Sequence, residues 1–503
     1  MSQPIPRRDA GACIGAAGAP AARPDRTGRA RRRGLCAVGT AVLLLATAAV
    51  AAAPEGEPGD AWLLALDRSS AAEVEALKRQ PGVAWWLELG DRLLVVAEGD
   101  SGAFRQILAG ERVVAELGRL ATSDLVLHAR GCGETADGVP QGWLVWRGAT
   151  HDLLRRPKSF APAPALAGGD GPLGPAWLPV RANTTLARMH RLDRPLGVAP
   201  DPGIAPIVDR VDQARWFQTV STLAAWDRSS WSPQLPLARA WIAGEFAALG
   251  LAVSEPGFNF PPGGTPAPIA NVVGFWQGTG APDEWIVVGG HYDSRNTNNS
   301  PAGAAVTPGA DDNASGCSGV IEAARAIVPF RPRRSVVFMC YAGEEQGLHG
   351  SYGHVDALSA AGDLARVQAM LNMDMIGWSP DANLGVNVAT QSSAGTPGAN
   401  MALVDIVADA ALAYAPALNP SLVLRQSNTC CSDHWPYLVA GRPAVMSIHR
   451  GTTSYPQYHR VGDTPTALGP FAQAIGGSIV RMNVGALARL AEASDRIFDD
   501  GWD

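Results

Sequence analysis

His291-Tyr292-Asp293, Asp311-Asp312-Asn313, Glu344-Glu345, Asp374 and Tyr458-His459, with Asp463 close behind, are the residues whose types and order could carry chemistry. Two imidazoles and three carboxylates make a donor set suited to zinc, and a further carboxylate, Glu344, suits a general base. Two divalent ions roughly 3.5–4 Å apart need a bridging anion, and a carboxylate supplies one through its two oxygens. Water shared by such ions becomes a nucleophile near neutral pH, yet it still needs an uncoordinated base to take its proton. Adjacent glutamates allow that division of labour, one coordinating and one free. Each motif alone has an ordinary explanation: a strand-end histidine, a turn and helix cap at 311–313, a solvated pair at Glu344-Glu345. Asp374 is harder to explain away, because a carboxylate in the apolar run Leu371-Asn372-Met373-Asp374-Met375 needs a partner.

The elements that must position these groups are legible around them. Trp285-Ile286-Val287-Val288 is an apolar run of the kind a buried parallel strand needs, and it stops at Gly289-Gly290-His291. Ser335 to Cys340 is a second run, stopping before Glu344-Glu345, and Met370 to Met373 leads a third into Asp374. A helix-like stretch from Ala314 to Ile327 lies between the first two runs, opened by the loop Pro308 to Asn313. Strand, helix, strand describes a parallel α/β unit with its polar residues at the carboxyl edge, where such sheets place their sites.

His291-Tyr292-Asp293-Ser294, Gly309-Ala310-Asp311-Asp312-Asn313-Ala314-Ser315-Gly316, Tyr341-Ala342-Gly343-Glu344-Glu345-Gln346-Gly347 and the His459 region carry a resemblance. In order and type they resemble the co-catalytic zinc aminopeptidases of the M28 family, in particular the secreted bacterial leucyl aminopeptidases. The resemblance covers roughly the last three hundred residues. It implies that Asp312 bridges two zinc ions, that Glu345 and His459 complete one ion's ligands, and that His291 and Asp374 complete the other's. It implies Glu344 as general acid/base, Asp293 as the group orienting His291, and a cis peptide between Asp312 and Asn313. The implied activity is removal of an apolar, leucine-type residue from peptides with a free amino end. A carboxypeptidase or dipeptidase on the same ligands is the alternative, and a non-catalytic binding protein on the scaffold is a further one. A carboxypeptidase would present a cation to its substrate's carboxylate, and Arg295, Arg425 and Arg450 are the candidates.

His349, His354 and His449 fall outside this set, the first two on a helix-like stretch where surface exposure is expected. Asp433 and His434, in Cys431-Ser432-Asp433-His434-Trp435, are placed by the resemblance beside the substrate pocket. Met375 is a candidate either for the pocket wall or for the core. The resembling enzymes carry a disulfide of close cysteines before the Ser-Asp-His step, where this chain has the neighbouring pair Cys430-Cys431.

A chain of 503 residues with net charge -6 suggests two or three domains. It gives no reason to expect nucleic acid or an anionic membrane as partner. Arg29 to Arg33, an apolar run from Leu35 to Val50 and the small residues Ala51-Ala52-Ala53 read as a secretory signal over 1–53. The run is short for a membrane span, so no stable anchor is expected after signal removal, and the mature protein would be extracellular or periplasmic. Cys132, Cys317, Cys340, Cys430 and Cys431 follow the signal, an odd number that leaves at least one thiol outside any intrachain pair.

The expected fold is α/β, a mixed and mostly parallel sheet flanked by helices, preceded by a small α+β ferredoxin-like domain. That domain, 54–159, reads as strand 62–66, helix 71–79, strand 83–87, strand 92–96, helix 102–109 and a last strand at 125–127. It holds no ligand cluster, and a propeptide is favoured over a spacer module. A Pro/Ala/Gly-rich linker is expected over 160–206 and the catalytic domain over 207–503. The catalytic domain opens with helices 207–225 and 237–249, with Gly250 as stop, and closes with a helix from 471 to 497.

Overall fold

The computed structural model describes residues 56–66, 69–98, 104, 108, 113–129, 141–148, 151–156, 176–192, 198–260, 269–296, 306–391, 397–425, 432–451 and 454–494. The signal segment, most of the expected helix 102–109, and Cys132, Cys430 and Cys431 lie outside these residues. All described residues fall in one compact unit, Ala53–Asp503.

The amino-terminal region is built on β1 (Gly59–Ala65), β2 (Val83–Gly90), β3 (Arg92–Ala97) and β4 (Val113–Leu120), with the helix Ala71–Lys78 after β1. Their order, β2-β3-β1-β4 with every pair antiparallel, is that of a ferredoxin-like sheet. Alternate residues serve two cores. Trp62, Leu64, Leu93 and Val95 face the helix residues Val74 and Leu77. Leu63, Leu87, Leu94 and Val96 face a second sheet of four strands. Those strands are β5 (Leu125–Ala129), β6 (Leu144–Arg147), β7 (His151–Arg155) and β8 (Ala176–Pro179), in the order β6-β7-β5-β8. The structure therefore corrects the expected last strand. Residues 125–127 belong to the second sheet, and the ferredoxin-like edge is β4. That edge strand is exposed along most of its length, and its opening Val113-Val114-Ala115 gives way to Glu116, Gly118 and Arg119.

The stretch expected as linker also holds structure. Besides β8 it contains β9 (Thr184–Arg191), which pairs in parallel with β2 and antiparallel with the strand Asn419–Arg425. Its Thr residues are strand formers in a neighbourhood whose Pro and Gly content points to a linker.

The carboxyl-terminal part of the large sheet comprises β10 (Ala252–Ser254), β11 (Val272–Trp276), β12 (Ala281–His291), β13 (Arg334–Tyr341), β14 (Val367–Met373), β15 (Gly385–Gln391), β16 (Asn419–Arg425) and β17 (Ala444–His449). Its order is β10-β11-β13-β12-β14-β17-β15-β16, and the four central strands β13, β12, β14 and β17 run parallel. These strands are apolar on both faces because both are covered. Ile286, Val288, Phe338 and Leu371 meet the helices Gln213–Leu223, Leu235–Ala248, Gly316–Ile327, Pro397–Tyr414 and Ala472–Leu490. Val287, Val337, Met339 and Met370 meet the helices His349–Ala361 and Trp435–Val439 on the other side. The expected opening helix 207–225 is two helices, Ala205–Val208 and Gln213–Leu223, the second capped by the Asp212 carboxylate. The closing helix stops at Leu490, short of 497, where Glu492 takes a left-handed backbone (φ 52°).

A disulfide joins Cys317, in the first turn of the helix Gly316–Ile327, to Cys340 on β13. No described helix is long and apolar enough to cross a membrane.

Candidate metal centre

Parallel strands carry their carboxyl ends to one edge, and the candidate residues follow from that geometry. His291 is the last residue of β12, Asp374 follows the last residue of β14, and Glu344-Glu345 stand three and four residues past β13. Between β12 and the helix that starts at Gly316, the chain turns through 310–315 and presents Asp312 to the same edge, with a cis peptide between Asp312 and Asn313. Gly316 is required there, since a Cβ would stand 2.1 Å from the Met373 carbonyl oxygen. His459 arrives from the loop after β17 in a left-handed backbone (φ 54°).

These residues converge. Asp312 turns one carboxylate oxygen to each imidazole: Oδ1 lies 3.3 Å from His291 Nε2, and Oδ2 lies 3.0 Å from His459 Nε2. Asp374 Oδ1 stands 3.6 Å from His291 Nε2, and Glu345 Oε2 stands 3.3 Å from His459 Nε2. Glu344 Oε2 is farther from His291, at 3.9 Å. All of these groups are buried. Among the described residues, ligand atoms of His291, Glu344 and Asp374, and of His291, Asp312 and Glu345, cluster within 4.8 Å of one another.

The donor set fits divalent metal. A tetrahedral zinc site with bonds of about 2.0–2.1 Å places its ligand atoms roughly 3.3–3.4 Å apart. The closest four contacts in the cluster, 3.0 to 3.6 Å, match that spacing. Glu345 Oε1 and Asp374 Oδ1 are buried without a hydrogen-bond donor among the described residues, a costly state for a carboxylate oxygen that a cation would relieve. Asp293, Asp312, Glu344, Glu345, Asp374 and Asp433 are buried together, so the region carries far more negative charge than its own side chains balance.

That imbalance moves the titrations. Burial pushes the Glu344 carboxyl well above the usual carboxylate range; Glu345, Asp374 and Asp433 add to the shift and His291 opposes it. Burial likewise raises Glu345, with Asp312 adding and His459 opposing. Asp312 goes the other way: burial works against its charge, but His291 and His459 outweigh burial and hold it well below the usual range. Burial works to lower both histidines, yet the carboxylates prevail, raising His291 well above its ordinary value and His459 to about 9.

A shell of hydrogen bonds fixes the cluster. His291 Nδ1 lies 3.1 Å from the Asp293 backbone carbonyl and 3.5 Å from its carboxylate. The Asp293 carboxylate accepts the backbone N–H groups of Glu344 and Glu345, each at 3.3 Å, so it sets the loop bearing both glutamates as well as the imidazole. Asp463 accepts the backbone N–H of Asp311 and of Asp312 at 3.0 Å each, and the Tyr455 hydroxyl at 2.6 Å. Burial raises Asp463 to about 8; Asp311 adds, while Tyr455 and the two backbone donors oppose.

Two residues that sequence reasoning left out of the site, Arg228 and His449, belong to this shell. Arg228 is fully buried and donates to the carbonyls of Tyr292 (2.7 Å), Leu223 (2.5 Å), Pro308 (2.7 Å) and Gly309 (2.8 Å), tying the end of β12 to the loop that carries Asp312. Burial lowers this guanidinium to about 10, against the pull of Asp463 and Asp293, so it stays charged at neutral pH. His449 Nδ1 accepts the Gly451 N–H, so Nε2 carries its proton and donates to Asp311 Oδ2 at 2.7 Å. Asn313 receives the N–H groups of Gly316 and Met375 and donates to the Met373 carbonyl, joining the metal loop to β14.

The remaining candidates sort by position. His349 and His354 are partly buried rather than exposed. His349 stands edge-on to Phe260, and His354 Nδ1 lies 2.5 Å from the Tyr437 hydroxyl, with burial lowering it to about 4. Asp433 and His434 are buried, and burial raises Asp433 to about 7, with His291 opposing and Asp374 and Asp293 adding. Met375 is 4% exposed within the main core, so packing is its place. Of the three arginines, Arg295 lies against Glu345, donating from Nη1 to its backbone carbonyl at 3.2 Å. Arg450 packs over Gly385 on β15, and the Arg425 side chain is outside the described residues.

Residues 271–480 match the sequence profile of Peptidase family M28. A protein from Pyrenophora teres f. teres named "Probable zinc metalloprotease" is 31% identical over 196 residues, which cover 35% of this chain and 42% of that protein. The chain thus spans less than half the length of that curated relative. The solved structure of the Legionella pneumophila LapA aminopeptidase is similar at 22% identity, over 60% of this chain and 78% of that one, with a TM-score of 0.47. A glutaminyl cyclase of Macrostomum lignano is similar at 17% identity, over 59% and 95% of the two chains, with a TM-score of 0.49. The chain carries a domain of peptidase family M28.

Proposed function

We propose that the chain is an exported two-zinc aminopeptidase that releases single apolar, leucine-type residues from peptides with a free amino end. The observation that carries this reading is the divided Asp312 carboxylate, with one oxygen toward His291 and the other toward His459. Asp312 would bridge two ions, His291 and Asp374 completing one set of protein ligands and His459 and Glu345 the other. When bound, zinc polarises a carbonyl oxygen and lowers the proton affinity of water.

The chain's own groups do the rest. Glu344 is the carboxylate left without a ligand's task, and its burial among like charges raises its affinity for a proton. It takes a proton from the attacking water and delivers it to the nitrogen of the leaving amine. Asp293 keeps His291 and the Glu344-Glu345 loop in register, and Asp463 holds the backbone of Asp312. Preference for a leucine-type residue rests on the motif resemblance.

Export is supported by the basic and apolar segments of 1–53 and by the Cys317–Cys340 disulfide, which suits an oxidising compartment. Residues 54–159 would serve as a propeptide, 160–206 would include its processing point, and 207–503 would be the mature catalytic part.

The test is hydrolysis of leucine-p-nitroanilide beside its N-acetylated form, with a chelator and with zinc restored. Cleavage of the free-amine substrate alone, abolished by chelation and recovered with zinc, is expected. Equal cleavage of both substrates would remove the requirement for a free amine.

A further inference from the structure

Arg295 sits four residues past His291, 18% exposed at its side chain, against the ligand-side glutamate of the centre. One of its donors is used on the Glu345 carbonyl, at 3.2 Å. Its Nε lies 3.9 Å from Glu345 Oε2 and has no hydrogen-bond partner among the described residues. A guanidinium that closes on a carboxylate does so at about 2.7–2.9 Å, often with two parallel bonds. Arg215 meets Glu322 at 2.6 Å and Arg325 meets Glu245 at 2.5 Å in this protein, so 3.9 Å is no such pair. A fixed, partly open cation is therefore left beside the reaction centre with donor capacity unspent.

Its sign orients the substrate. A protonated α-amine is repelled by a guanidinium a few ångströms away and attracted by carboxylates. The cluster is polarised accordingly: Asp374 lies on the His291 side, whereas Arg295 lies against Glu345, on the His459 side. The amino end belongs with His291 and Asp374, and the departing part of the peptide runs toward Arg295.

We propose that Arg295 binds the free carboxylate of the residue that follows the scissile bond, so that dipeptides are the preferred substrates. This rests on the aminopeptidase reading above. The carboxylate of a dipeptide lies on that residue and replaces the anion that Glu345 does not supply, whereas a longer peptide carries its charge farther away.

The experiment compares leucyl-glycine, leucyl-glycinamide and N-acetyl-leucyl-glycine on the full zinc-loaded chain and on Arg295→Gln and Arg295→Lys. A charge-assisted hydrogen bond of about 1.5–3 kcal/mol corresponds to roughly 10- to 100-fold. The wild type should therefore prefer the acid over the amide by at least about tenfold in kcat/KM. In Arg295→Gln that ratio should fall to about one through KM, with partial recovery in Arg295→Lys. Equal use of acid and amide by the wild type overturns the proposal. So does a loss in Arg295→Gln that is the same for both substrates, which is the signature of disturbed Glu345 geometry. Cleavage of the acetylated dipeptide with the same Arg295 dependence would keep Arg295 in this role and overturn the free-amine reading. Cleavage of none of the three would overturn both.

Discussion

Glu344 and Glu345 are neighbours in sequence and differ in position: Glu345 stands 3.3 Å from His459, whereas the nearest imidazole to Glu344, that of His291, is 3.9 Å away. The account gives them different tasks, so their substitutions must differ in kind. Glu344→Gln should retain metal, by elemental analysis, and lose about 10²–10⁴-fold in kcat, the range of general acid–base catalysis. A variant that keeps its kcat would take the proton-transfer role away from Glu344. At this scale the sequence was highly legible, because His291, Asp374 and the glutamates each follow an apolar strand that announces itself. Arg228 and the pairing of His449 with Asp311 were harder to read. Arg228 reaches carbonyls 80 and 81 residues away, and His449 reaches a carboxylate 138 residues away, so no local pattern marks either.

At the scale of elements, the loop 308–313 is held between β12, β14 and the segment carrying Asp463, and Arg228 is its principal tie. Replacing Arg228 with Met would leave the buried Tyr292 and Pro308 carbonyls without a donor among the described residues, each worth about 1–3 kcal/mol when unsatisfied, whereas the Leu223 and Gly309 carbonyls keep the backbone N–H groups of Trp226 and Ala314. Arg228→Met should therefore lower unfolding stability by about 2–6 kcal/mol in denaturant titration, even though it touches no candidate ligand. A loss below about 1 kcal/mol would mean that water takes over the carbonyls. Strands β12, β13 and β14 were foreseen because they are buried on both faces and read as continuous apolar runs. Strands β15, β16 and β17 were not singled out. Their runs are interrupted by Asn387, Thr390, Pro420 and Ser447; Thr390 finds the Ala444 carbonyl and Ser447 finds Asn483 on the closing helix only in the folded chain.

For the whole molecule, the amino-terminal region joins the catalytic sheet rather than standing apart from it. β9 bonds to β16 on one side and to β2 on the other, so thirteen strands of the described residues form one sheet. A buried charge network reinforces the junction: Glu88 on β2 meets Lys78 at 2.6 Å, and Arg188 and Thr185 on β9 at 3.2 and 2.9 Å. Three of the four ferredoxin-like strands were legible from strand and helix periodicity, whereas the fourth was read at 125–127 instead of at β4. The continuity of the sheet was not, since edge-to-edge pairing leaves no period in the sequence and the Pro/Gly-rich surroundings of β9 read as linker. At this same scale, the central claim is that one chain holds two ions across Asp312. The most direct measurement is zinc per chain, by elemental analysis after zinc loading and dialysis, on the wild type and on Asp312→Ala. The account predicts two zinc ions per wild-type chain and a clear loss on removing the shared carboxylate. A single tightly held zinc in the wild type, unchanged in Asp312→Ala, would contradict it.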